Sequence, residues 1–324
     1  MDTLLDKNCA RAEMQFGRLI KISEDPEKGL DTVRLLQMSA GVLVELFLEY
    51  DNPGTIYGHT VQYLLNRLKL ESVESLPKPL KTPPFVLDKE IEFGRYFARE
   101  IHLDNMDDIH LIQQSFIELV ALKINMWAEN SAFLSCQESI DIFLDALRAG
   151  LSLEIASQEI CDDSISTLIG RYGWTLSDCV RGLSASAGQR MAMSLDPLRD
   201  RIYNLCDLIS PFEQVAFLMT QEASRLGITD DSNWRKKLAA NDTNTQIPEY
   251  LINGVDPICT KVLNSIKLYY PPYRAAAIAK ATGRMIAVAA GGDMPELEPN
   301  VVKPLALTTM HETFKAQKAA RFAS

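Results

Sequence analysis

"MDDIHLIQQSFIELVALKINMWAENSAF", Met106–Phe133, is the stretch with the strongest periodicity in the chain. Its apolar residues Ile109, Ile112, Phe116, Leu119, Val120, Ile124 and Trp127 recur at intervals of three and four. That spacing lines one side of an α-helix, whereas a half-buried strand would alternate. Apolar residues extend beyond a single stripe here, so the pattern places this helix near the centre of a core.

The same period runs through most of the chain. It predicts helices over about Thr32–Tyr50, Tyr57–Lys69, Asp88–Glu100, Ser152–Gly170, Leu176–Met191 and Pro197–Ile209. Ser135 and Glu138 have the spacing of a capping box, and the helix they open is predicted to end at Gly150. "SPFEQ", Ser210–Gln214, is a second such box with proline at the first helical position. Asp256-Pro257 is read as a helix start and "YYPPYR", Tyr269–Arg274, as a break. The helix after that break is rich in Ala and Gly, which suits close approach to a neighbour.

Two stretches interrupt the period. "ESLPKPLKTPP", Glu74–Pro84, carries four prolines, and "GGDMPELEPN", Gly291–Asn300, combines a Gly pair with Pro295 and Pro299. Proline removes a backbone donor and holds its predecessor extended, so both read as linkers. The predicted organisation is an N-terminal helical segment over 1–70, a Pro-rich linker over 71–86, a main helical domain over 87–290, and a linker with a C-terminal tail helix over 291–324. The fold class is all-α: a multi-helix bundle of roughly a dozen helices, with the N-terminal segment docked on it. The tail helix carries Lys303, Lys315, Lys318 and Arg321 against Glu312, and only a moderate stripe of Val302, Leu305, Met310 and Phe314. It is therefore expected to dock weakly on its own body, or on a neighbouring subunit in exchange.

Composition narrows the function classes. The net charge is -10 and the pI about 5.0, which disfavours nucleic acid as a partner. No apolar run reaches the roughly 18 residues of a membrane span, and the N-terminus lacks a signal-peptide pattern. The six cysteines, Cys9, Cys136, Cys161, Cys179, Cys206 and Cys259, are scattered without a CxxC pair and read as reduced, buried thiols. A soluble cytoplasmic protein in a reducing compartment is expected.

Three stretches carry candidate chemistry. In "NDTNTQIPE", Asn241–Glu249, the residues Asn241, Thr245 and Glu249 are four apart. This stretch resembles the second metal-binding motif of class I terpene synthases. The resemblance implies an Mg²⁺-dependent lyase acting on a prenyl diphosphate, with those three residues as ligands. The family's aspartate-rich partner motif has no full match in this chain. Pro248 would also break the helix that must carry Glu249, at a cost of ~3 kcal/mol or more. The stretch is read as a loop without metal. "HLDNMDDIH", His102–His110, is read as a helix start, with Asp104 or Asn105 as N-cap and Asp107 and Asp108 favoured by the helix dipole. Arg171, Arg181, Arg190, Arg199 and Arg201 cluster near Tyr172, Trp174 and Tyr203. They read as solvated faces bridged to Asp178, Asp196 and Asp200, or else as an anion-binding patch.

No nucleophile elbow, P-loop, HExxH or dinucleotide fingerprint occurs. The reading is therefore non-enzymatic, with no cofactor, metal or catalytic residue assigned. An adaptor, a scaffold or a subunit of a larger assembly, binding protein partners or itself, fits best. The lyase and an assembly-forming nucleoprotein or coat-like subunit are the alternatives.

Overall fold

Apolar spacing of three and four produces helices wherever it runs uninterrupted. The computed structural model describes residues 2–25, 29–47, 53–68, 86–98, 107–129, 134–195, 211–228, 249–269, 271–291 and 295–322. These hold eleven α-helices of three turns or more: α1 (Asp2–Ser23), α2 (Thr32–Phe47), α3 (Pro53–Leu68), α4 (Val86–Ala98), α5 (Asp107–Ala128), α6 (Cys136–Ser164), α7 (Leu176–Ser194), α8 (Pro211–Arg225), α9 (Glu249–Ser265), α10 (Pro271–Ala290) and α11 (Pro299–Phe322). The chain is all-α, apart from a two-residue antiparallel ribbon, Glu24–Asp25 with Gly29–Leu30. Most of the Pro-rich stretch, and the segment predicted to be helical over Pro197–Ile209, lie outside the described residues.

The chain divides into two compact units, Met1–Leu151 and Ser152–Ser324. The division falls inside α6, which supplies its first half to one unit and its second half to the other.

In the first unit, α2 and α4 cross on two glycines. A methyl group at Gly41 would overlap the backbone of Ile91, and one at Gly94 would overlap the backbone of Met38. Each helix thus gives up a side chain where the other's main chain passes. Two ion pairs brace the same two helices: Arg34 Nε to Glu90 at 3.0 Å, and Arg95 Nε to Glu45 at 2.8 Å. Helix α5 packs against α1 and α3, with Phe16 and Phe116 edge to face at 5.3 Å. It is not central. Ile112, Phe116, Val120, Ile124 and Trp127 are buried on one side, while Leu122 and Met126 are exposed on the other.

Gly150 does not end α6. The helix passes straight through it, and Val44 and Ile91 side chains fill the space where its Cβ would be, at 3.0 and 3.1 Å. The cap at the other end is as predicted: Ser135 Oγ accepts from the Glu138 N–H, and the Glu138 carboxylate accepts from the Ser135 N–H.

The second unit is arranged around α7. Every residue from Gly182 to Gly188, "GLSASAG", is buried, and α8, α9, α10 and α11 all contact this helix. Small residues let main chains approach. A methyl at Gly182 would meet the Leu251 carbonyl at 2.9 Å, and one at Gly188 would overlap the backbone of Met310. The start of α7 is fixed by its own capping box, Thr175 with Asp178, and by Glu296, whose carboxylate accepts from the Leu176 and Ser177 N–H groups. Just before it, α6 ends in a π-helical turn, Ile165–Ile169, and the chain leaves through Gly173 in the left-handed region.

Two expectations are corrected here. The tail helix α11 is part of the core rather than a weakly docked arm. Val302, Ala306, Leu307 and Met310 are fully buried against α7, and the Lys303 ammonium donates to the Ile228 carbonyl. Helix α9 begins at Glu249, not at Asp256, and carries Pro257 inside it. Pro257 is solvent-exposed, so its ring and its missing donor face water rather than the packed side.

Candidate functional site

Carboxylates are the first place to look for chemistry, and two lie in the interior of the second unit. Glu154 of α6 and Glu222 of α8 face Lys280 and Arg284 of α10, with Arg225 of α8 at the edge. The Lys280 side chain has no exposure to solvent, and its Nζ lies 3.5 Å from both Glu154 Oε2 and Glu222 Oε2. Arg284 pairs with Glu154 and, at 3.0 Å, with Glu222 Oε1, and its Nε donates to Ser157 Oγ at 3.1 Å. Arg225 holds Glu222 through two nitrogens, at 2.7 and 3.1 Å. Both carboxylates are thus shared among three cations, and each acceptor oxygen is engaged. Gly283 makes the approach possible, since a methyl there would run into the backbone of Met219 and the side chain of Glu222. Such a cluster fixes how three helices register against one another. It is a lock on the packing of α6, α8 and α10.

Burial disfavours the thiolate form at each of the four thiols Cys136, Cys161, Cys179 and Cys259. Burial pushes Cys161, Cys179 and Cys259 each up to about 12, so they stay protonated near neutrality. Cys136 is half-buried and also raised by burial.

The stretches singled out in the sequence come to different ends. Asn241 and Thr245 lie outside the described residues, and Glu249 is the exposed first residue of α9. Asp107 and Asp108 open α5, as predicted, and side chains before Leu111 lie outside the description. Among the described residues no three His, Cys, Asp or Glu side chains converge as a metal site. Arg171 is exposed, and Arg199 and Arg201 lie outside the description. The predicted bridge to Asp178 is not the one Arg190 makes: Asp178 is occupied as a helix cap, and Arg190 reaches α9 instead. Trp174 packs over Gly254 and, edge to face, on Tyr250.

The first unit presents an open site that the sequence did not announce. A cleft of about 340 Å³ is lined by Glu13 of α1, Arg67 of α3, and Ser115, Glu118, Leu119 and Leu122 of α5, among others. Arg67 pairs with Glu118 across it. Leu122 and Met126, one turn apart on α5, are 55% and 51% exposed. Met14, beside Glu13, and Tyr63, one turn before Arg67, are exposed as well. This surface sets apolar side chains in water, rimmed by charges of both signs. Its signal in the sequence was present as the second apolar face of Met106–Phe133, which was assigned to burial.

Comparisons with protein-family models, curated proteins and solved structures found no match for this chain. No described helix is long and apolar enough to cross a membrane.

Proposed function

We propose that this chain is a non-enzymatic helical interaction protein that associates with a second copy of itself through the α1–α3–α5 surface of its first unit. The observation behind this reading is the exposed pair Leu122 and Met126 beside a cleft whose rim carries Glu13, Glu118 and Arg67. A two-fold interface places the same patch on both sides, so a patch bearing both signs of charge can complement itself. Arg67 of one copy would then face Glu13 of the other, around a centre of Leu122, Met126, Leu119 and Met14. The saturated carboxylates and the protonated thiols of the second unit support a role without covalent or acid–base chemistry.

Sedimentation velocity on the full chain tests this. The wild-type protein should sediment as a concentration-dependent dimer. Leu122→Asp with Met126→Asp should sediment as a monomer with an unchanged circular dichroism spectrum, because neither side chain is buried within the chain. A wild-type monomer at every concentration tested rejects self-association. A dimer that persists in the double variant moves the interface elsewhere.

A further inference from the structure

Arg274 is a charged side chain with no carboxylate at ion-pair distance among the described residues. It stands in the first turn of α10, half-buried, and its NH2 donates to Asn264 Oδ1 at 3.2 Å. It makes no ion pair among the described residues, and its Nε–H is buried without an acceptor. Arg190, near the end of α7, is similar. Its NH2 donates to Asp256 Oδ1 at 2.5 Å and Thr260 Oγ1 at 2.9 Å, and its Nε–H is also buried without a partner. A buried donor left unmade is costly, and two side by side call for an explanation.

The geometry brings the two arginines together. Asp256, Thr260 and Asn264 are each four residues apart on α9, so they form one row, with about 6 Å per step. Arg190 is held on the first two positions of that row and Arg274 on the third. Arg274 is held below the usual arginine value, first by burial and then by the charge of Arg190, which marks their closeness. One carboxylate, Asp256, serves both. The neighbouring Cys259 thiol is fully buried and protonated, so it supplies no negative charge. Lys261, off this row, is paired with Asp163. Tyr269, well exposed, is also among the groups that act on Arg274. Among the described residues the two guanidinium groups thus face one carboxylate, leaving a surplus positive charge beside unfilled donors in a chain of net charge -10.

We propose that Arg190 and Arg274 form a binding site for a phosphate group, borne by a small phosphate monoester or free as inorganic phosphate. Guanidinium forks match phosphate oxygens in pairs, and a dianion would offset the surplus charge that Asp256 leaves. Exposed Tyr269 offers a hydroxyl at the rim. A small turn of each guanidinium brings its Nε–H to the ligand and ends its isolation.

Thermal unfolding of the full chain provides the test. Sodium chloride is replaced at constant ionic strength by inorganic phosphate, and in a second series by phenyl phosphate. Either ligand should raise the melting temperature in a saturable manner, as binding to the folded state requires. Arg274→Gln breaks only the bond to Asn264 and should fold. It should raise the half-saturating concentration by about tenfold or more, equivalent to ~1.4 kcal/mol. Arg171→Gln, at an exposed arginine, should respond as the wild type. Saturation at a lower concentration of phenyl phosphate than of inorganic phosphate assigns the site to a monoester; the reverse order assigns it to the free ion. No rise with either ligand, or an equal rise in Arg274→Gln, overturns the proposal.

Discussion

Glu222 and Lys280 illustrate how charge count, more than distance, ranks the residues of a buried cluster. Among the described residues three cations, Arg225, Lys280 and Arg284, share the two carboxylates Glu154 and Glu222. Lys280→Met leaves two cations for two carboxylates and replaces the stem with apolar volume, so its cost is expected to be small. Glu222→Gln leaves three cations around one carboxylate in a place closed to water. Removing one partner of a buried pair typically costs about 3–5 kcal/mol, because the other charge stays behind. Urea denaturation should therefore rank Glu222→Gln well below Lys280→Met, and equal losses would show that the cluster is not governed by its charge balance. None of this was legible in the sequence. The three elements are separated by up to 130 residues between Glu154 and Arg284, and carboxylates and amines are common on helix surfaces. Gly150 was misread for a related reason: glycine signals a helix end and a close side-chain contact with the same letter, and only Val44 and Ile91 tell the two apart.

Helix α11 is a case in which a tail by composition is core by packing. Its apolar stripe is moderate, yet Gly188 of α7 lets the Met310 backbone come close, and Val302, Leu307 and Met310 are buried. The preceding segment is anchored too, since Glu296 accepts from the first N–H groups of α7. Arg321 donates to the carbonyls of Ala192 and Met193, near the end of α7. Deleting residues 301–324 should therefore unfold the second unit instead of trimming it. Circular dichroism should lose far more helix than the deleted residues contribute, and limited proteolysis should cut within α7 and α10. A truncated chain with its remaining helicity intact would return α11 to the status of an appendage. The periodic pattern made the existence of all eleven helices readable, α7 included, usually within a few residues of their ends. The choice of centre failed. Met106–Phe133 has the more hydrophobic letters, but burial in the second unit follows the small residues of α7, which a count of apolar side chains passes over. The surface of α5 was lost with that choice, because apolar residues on a second face were read as buried rather than as a site.

The division at Leu151 makes a claim about how the protein comes apart. Each unit has its own close crossing: Gly41 with Gly94 in the first, and Gly182 and Gly188 of α7 in the second. Each also has its own buried ions, Arg95 with Glu45 in the first and the Glu154–Glu222 cluster in the second. The continuous helix α6 belongs to both, so cooperativity between them depends on whether its second half can melt while its first half stays bound. Helix propagation past an unravelled turn costs little per residue compared with the loss of tertiary contacts. The two halves are therefore expected to melt separately. Natural reporters exist, since Trp127 is buried in the first unit and Trp174 is packed on Tyr250 in the second. In a Trp234→Phe background, variants keeping only Trp127 or only Trp174 read the two units one at a time. Adding Glu222→Gln should lower the midpoint seen by Trp174 and leave that seen by Trp127 nearly unchanged. If both midpoints fall together, α6 transmits the loss, and the two compact units unfold as a single cooperative body.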